Sequence, residues 1–160
     1  MVRFPQPLTA LVAVISAALI GGLALHVIAA DSGIVPGPIP AEVIQVVDGD
    51  TIAVRARIWL GQEVETHVRI AGIDAPELKG RCEHERQMAE EARSLLVKSL
   101  GEGRVLLREV RNDKYGGREI AEVDTAKGEN VAELMLRSGL ARLYDGGRRQ
   151  SWCSPSEAER

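Results

Sequence analysis

Aromatic residues are scarce in this chain: its 160 residues include one Phe, two Tyr and two Trp. A folded core must therefore be aliphatic, and the aromatic platforms on which many single-strand nucleic-acid binders stack bases are thin. Cysteine is limited to Cys82 and Cys153, too few for a thiolate zinc site. There is no excess of positive charge either, with 20 Lys and Arg against 23 Asp and Glu and a net charge of −3. The overall positive field usual in non-sequence-specific nucleic-acid binders is missing, so any hold on phosphate must rest on a local patch. No internal repeat is visible.

What the chain does have is one long apolar run at its start. Residues 8–30 are largely apolar, follow Arg3, and are 23 in number. That is nearer to the roughly 20 residues that cross a bilayer than to the roughly 7 to 15 of a signal-peptide core. A retained N-terminal anchor is the first expectation. Cleavage after Ala29-Ala30, and a buried soluble helix, are the alternatives. With Arg3 as the one positive charge before the run, the positive-inside tendency sends residues 31–160 across the membrane. The expected location is periplasmic or extracellular, anchored by residues 8–30 or secreted after cleavage. Losing residues 1–30 removes one base and no acid, leaving 19 against 23 and a net charge of −4. In an oxidising compartment Cys82 and Cys153 could pair, closing a loop worth about 4 kcal/mol by chain entropy. Two separate thiols are the alternative.

Residues 31–41, "DSGIVPGPIPA", hold three prolines and two glycines with little to bury, and read as a linker. The fold is expected to span 42–160. Period-two patterning predicts strands over about 42–47, 51–58 and 64–72, a three-stranded meander. The period then changes: Met88, Ala92, Leu95, Leu96 and Leu100 fall at helical spacing, and Gly101 stops the helix. Period two returns over 104–112 and 118–125 around the polar turn "DKYGG". Asn130 and Glu133 form a cap-like pair before a short second helix that ends at Gly139. The tail from Tyr144 is glycine-rich, charged and irregular in pattern. These elements make a small α+β domain, and five such strands can close into a partly open barrel.

Asp48-Gly49-Asp50 by itself is turn chemistry. A second strand ending in Asp74-Ala75-Pro76-Glu77 changes its meaning, because two acidic strand ends in one meander can converge on a hard cation such as calcium. Arg69 lies five residues before Asp74, so regular alternation would put the two on opposite faces; Gly72 permits a bulge that changes the facing. Arg69 as a solvated strand charge, and Lys114, Tyr115 and Arg118 as plain hairpin-turn residues, are the bland readings.

Three ordered segments, "VDGDTI", "VRIAGIDAPE" and "DKYGGREIA", resemble the thermonuclease family, the staphylococcal-nuclease-like enzymes, over about residues 42–144. The resemblance implies an OB-like five-stranded β-barrel with packed helices. Asp50, Asp74 and the Ala75 carbonyl would hold Ca²⁺. Glu77 would orient or deprotonate the attacking water, Arg69 and Arg118 would bind the phosphate, and Lys114 and Tyr115 would touch a terminal phosphate. The chemistry is coherent: attack by water on a phosphodiester adds negative charge, which a metal and two guanidiniums stabilise.

The chain also departs from the family pattern. Gly117 intervenes before the arginine of the "DKYG" turn, so giving that role to Arg118 assumes a one-residue insertion. The segment after Glu77 is short, no third long helix fits into 145–160, and the late pair of stacking tyrosines is reduced to Tyr144. Arg142, Arg148 and Arg149 form either a small compensating basic patch or a solvated tail. The expected function is an exported, calcium-dependent nuclease that hydrolyses DNA and RNA with little sequence preference. The alternatives are an inactive module binding nucleic acid or another polyanion at the cell envelope, and an envelope protein whose barrel supports protein contacts. No protein partner is implied, and the membrane is met only through an uncleaved N-terminal segment.

Overall fold

Alternation decides the barrel. In the strand Thr51–Trp59, Ile52, Val54 and Ala56 point inward and are buried, while Arg55 and Arg57 face solvent. A computed structural model of the chain describes residues 33–114 and 116–154. The N-terminal apolar segment and Tyr115 lie outside the described residues. Among the described residues no helix is long and apolar enough to cross a membrane.

The elements run β1 (Ile34–Val35), β2 (Ile39–Val46), β3 (Thr51–Trp59), β4 (Gln62–Ile70), β5 (Ile73–Asp74), α1 (Glu83–Leu100), β6 (Arg104–Asn112), β7 (Glu119–Thr125), α2 (Val131–Arg137) and β8 (Arg142–Leu143). β2, β3 and β4 form the expected meander, with Val43 opposite Val54 and Ile52 opposite Val68. β6 pairs with β2 on one side and β7 on the other. β7 returns to lie parallel to β4, with Arg69 opposite Ile120, and so closes a five-stranded barrel. The OB-like α+β barrel with two packed helices is the architecture of the described residues.

The barrel interior is aliphatic, as the shortage of aromatics requires: Ile52, Val54, Val68, Ile70, Leu107 and Val123 are all buried. α1 covers it with Ala89, Ala92, Leu96 and Leu100, a stripe at helical spacing. Met88 and Leu95 are only partly buried, so the inward stripe is turned slightly from the one their pattern suggested. In α2 the Asn130 side chain accepts from the Glu133 N–H, an ordinary N-cap.

Two readings need correction. The stretch 31–41 is in part barrel wall, since Ile34 pairs with Arg111 and Ile39 with Leu107. Its prolines hid this, but Pro40 sits where β2 is paired with β6 and not yet with β3, a place where a missing N–H is tolerated. Second, Asp74 does not share a strand with Arg69. β4 stops at Ile70, Gly72 turns the chain at φ 80°, and Asp74 belongs to the separate short ladder of β5 with β8.

Candidate active site

The turn between β2 and β3 and the turn after β4 meet at one end of the barrel. Thr51 pairs with Arg69, so the carboxylate of Asp50 arrives beside the guanidinium. Arg69 Nη2 lies 3.1 Å from Asp50 Oδ2 and 3.6 Å from Asp74 Oδ1, and it donates to the Ile73 carbonyl at 3.1 Å. All three side chains are buried. Arg69 is therefore not a solvated strand charge; a buried guanidinium needs anionic partners, and here two aspartates supply them.

Each Asp50 oxygen is held twice. Oδ1 accepts from the Thr51 hydroxyl at 2.8 Å and Arg69 Nη1 at 3.3 Å, and Oδ2 accepts from the Ala75 N–H at 3.1 Å while facing Arg69 Nη2. Asp74 is less settled. Its Oδ2 accepts from the Trp152 indole at 3.3 Å, whereas Oδ1 makes no aligned hydrogen bond, although Arg149 Nε stands 2.9 Å away. Burial raises the Asp74 pKa above the usual carboxylate range, against the lowering pull of Arg149, Trp152 and Arg69. Asp48 adds a fourth carboxylate beside Asp50 and Glu77, its Oδ1 accepting from the Asp50 N–H at 3.0 Å. Burial first, then the charge of Asp50, pushes the Asp48 pKa up to about 6.

These groups fit a hard divalent cation. The donors are all oxygen, which suits calcium or magnesium over softer metals, and the buried Asp74 Oδ1, ion-paired but without an aligned hydrogen bond, keeps lone-pair capacity for a cation. A cation there would also reverse the raised pKa values. A ligand-like cluster among the described residues lies elsewhere: atoms of Cys82, Glu85 and Cys153 fall within 4.8 Å of one another. Both sulfurs are committed to a disulfide, so no thiolate is available to bind a metal.

Beside the carboxylates lies a cleft of about 690 Å³ lined by Arg69, Glu77, Lys114, Arg118, Tyr144 and Arg149, among others. Barrel closure contributes to this convergence: the parallel pairing of β7 on β4 sets Ile120 opposite Arg69, and Arg118, just before β7, lines the same cleft. The turn that delivers it closes through the Asp113 N–H to the Arg118 carbonyl, and Gly116 and Gly117 both take positive φ (67° and 70°). Asn112 pairs with Glu119 and Arg111 with Ile120 directly beyond the turn, and a bulge between Arg108 and Arg111 shifts the register farther along β6 and β7. Arg118 Nε bonds the buried Asp113 carboxylate at 2.5 Å, which orients the guanidinium along the cleft wall. Lys114 Nζ donates to the Gly146 carbonyl at 3.1 Å, and the Tyr144 ring lies 5.3 Å from the Arg69 guanidinium.

Asp48, Asp113, Trp152 and Arg149 also stand at the site, though no local motif in the sequence marks them for it. Arg149 bridges Asp74 and Glu77, bonding the latter through Nη1. Burial alone would lower the Arg149 pKa, but Glu77 and then Asp74 raise it above its usual value. Its segment is tied by the Cys82–Cys153 disulfide, with a Cα–Cα distance of 5.9 Å. Arg142 does not join the cleft; it stacks on the Trp152 ring at 3.6 Å.

A family model described as staphylococcal nuclease homologue matches residues 67–157, more than half of the chain. Among curated proteins, Endonuclease Htp3 of Saprolegnia parasitica is 34% identical over 116 residues, covering 64% of this chain and 54% of that protein. An uncharacterized endonuclease of Escherichia coli O157:H7 is 32% identical over 111 residues, covering 67% and 62%. A probable endonuclease, LCL3, of Leptosphaeria maculans is 33% identical over 90 residues, covering 54% and 30%. The matched region thus spans about a third to three-fifths of these relatives.

Proposed function

This chain belongs to the staphylococcal nuclease homologue family, and from that premise we propose that it is a nuclease that hydrolyses phosphodiester bonds of DNA and RNA with little sequence preference, using calcium. The observation that carries the reading is one cleft lined by Arg69, Arg118 and Glu77, in which Arg69 is also held between the buried carboxylates of Asp50 and Asp74. A barrel that only supported protein contacts would have no need of a buried arginine between two aspartates. In this reading Asp50, Asp74 and the Ala75 carbonyl hold the cation, which when bound supplies Lewis-acid stabilisation of the phosphoryl oxygens and of the attacking water.

The side chains supply the rest. Arg69 and Arg118 bind the non-bridging phosphate oxygens, and their fixed guanidinium forks stabilise charge as it develops. Glu77, half-exposed at the cleft, accepts the proton of the attacking water or orients that water. Lys114 and Tyr115 take a terminal phosphate. Tyr144 offers one ring for a base, so base recognition is weak and the phosphate backbone dominates. Export is part of the proposal: residues 8–30 anchor the enzyme or are cleaved, and Cys82 and Cys153 pair in the oxidising space beyond.

The test uses the purified full chain with single-stranded DNA and RNA in Ca²⁺, Mg²⁺ or EGTA, with Glu77→Gln beside it. Calcium-dependent cleavage that the variant lacks supports the reading. Salt-sensitive retention of nucleic acid without cleavage replaces it with the binding module.

A further inference from the structure

The segment after β8, "DGGRRQSWCS", has no regular secondary structure, yet it is held from both ends. At one end the Tyr144 hydroxyl donates to the Gly147 carbonyl at 2.8 Å and Lys114 Nζ to the Gly146 carbonyl. At the other, Cys153 is bonded to Cys82 at the head of α1, and Trp152 is buried between Asp74 and the Arg142 guanidinium. Arg149 lies between the two anchorages. Its guanidinium takes Asp74 with Nε and Glu77 with Nη1, and about a third of its side chain remains exposed.

Asp74 is a proposed metal ligand and Glu77 the proposed base, so Arg149 sits where cationic charge is wanted. A divalent cation on Asp74 repels a guanidinium on the same carboxylate by several kcal/mol at about 4 Å even when partly screened, and while Arg69 is pinned by Asp50 and the Ile73 carbonyl, the partly exposed Arg149 is the one that can yield. Loading the metal therefore favours withdrawal of Arg149. It does not have far to go, since the same residue lines the phosphate cleft with Arg69, Arg118 and Lys114. A phosphate seated there is the nearest anion able to take both prongs of its fork.

We propose that Arg149 is a movable positioning residue that couples the metal site to the phosphate site: it neutralises Asp74 and Glu77 when both sites are empty and transfers to the substrate phosphate when the cation arrives. The proposal rests on the metal-dependent phosphodiesterase reading above. Coupling of this kind is reciprocal, so phosphate that draws Arg149 off the carboxylates strengthens cation binding by the factor by which the cation strengthens phosphate binding.

The test is calorimetric titration of Ca²⁺ into the full chain, with and without a nucleoside 3′-monophosphate, which has no diester to cleave. Arg149→Ala is expected to bind Ca²⁺ about tenfold tighter than wild type without the nucleotide, within the roughly 5- to 150-fold range of site-to-site couplings. The nucleotide is expected to tighten Ca²⁺ binding severalfold in wild type and hardly at all in the variant. Arg148→Ala, which removes the same charge one residue away, should change Ca²⁺ affinity far less. Thermal melts establish that each variant is folded. Equal or weaker Ca²⁺ binding by folded Arg149→Ala, or an equal gain in Arg148→Ala, overturns the proposal and leaves the metal site standing. No Ca²⁺ binding by any form overturns the metal reading and this inference with it.

Discussion

Gly49 is packed against Ala75 with no room for a side chain: a Cβ at position 49 would lie 2.8 Å from the Ala75 Cβ and 2.7 Å from that of Ala92. The Asp-Gly-Asp turn can therefore press onto α1 and onto the turn that carries Asp74. This close approach lets the Ala75 N–H reach Asp50. Gly49→Ala forces rigid atoms apart and is expected to destabilise the fold by about 1 to 3 kcal/mol, the usual range for overpacking. It should also weaken metal binding, because it separates Asp50 from Asp74. Urea unfolding checks the first effect; an unchanged midpoint would mean that the turn shifts without loss.

Glu77 and Arg118 separate catalysis from folding. Glu77 is half-exposed and Arg118 partly so, and neither belongs to the aliphatic core. Glu77→Gln is expected to lower kcat by about 10²- to 10⁴-fold, the range for loss of general-base help, with an unchanged melting temperature. Arg118→Ala should lose at least as much in kcat/KM, and Arg118→Lys should recover little, since a point charge cannot grip two oxygens. Near-normal turnover in Arg118→Ala would remove this residue from the mechanism and shift attention to another cleft cation.

Much of this was legible from local pattern. Period two in β3 and β4 and helical spacing in α1 are encoded by the residues that face the core, so burial reproduces them. What was not legible depends on closure. Asp48 looked like turn chemistry because Asp in a tight turn and Asp in a carboxylate cluster have the same local sequence. Asp74 faced correctly only once Gly72 ended β4. Arg149 carried no pattern at all: its place is set by a bond between residues 71 apart in sequence, and no local window contains both partners.

The raised carboxylates predict an unusual pH response without metal. Asp48 has a folded-state pKa of about 6 against an ordinary 3.8, raised by burial first and then by Asp50. A raised carboxylate favours the folded state only while protonated. Its contribution is fully present below about pH 4 and is lost as the pH climbs through 6. In EDTA, wild type is expected to lose stability relative to Asp48→Asn between those limits and to run parallel above them. The asparagine keeps the acceptor for the Asp50 N–H, so the comparison isolates the charge. Urea midpoints at pH 4 to 7 measure it, and parallel curves throughout would show that Asp48 keeps an ordinary pKa.

The disulfide makes a prediction about both stability and the site. Cys82 caps α1, its sulfur accepting from the Glu85 N–H at 3.4 Å, and the bond to Cys153 closes a 71-residue separation. By chain entropy such a loop is worth about 4 kcal/mol. The double variant Cys82→Ser/Cys153→Ser should therefore unfold at clearly lower urea, while the serine hydroxyl at position 82 retains a capping acceptor. Because the same bond fixes Trp152 on Asp74, loss of the bond should also free the indole. Its fluorescence is expected to shift to the red at urea concentrations too low to unfold the barrel. Exposed Trp59 contributes an unchanging background to that signal. A fluorescence change that appears only together with global unfolding would mean that Trp152 and Asp74 hold the tail in place without help from the sulfur bridge.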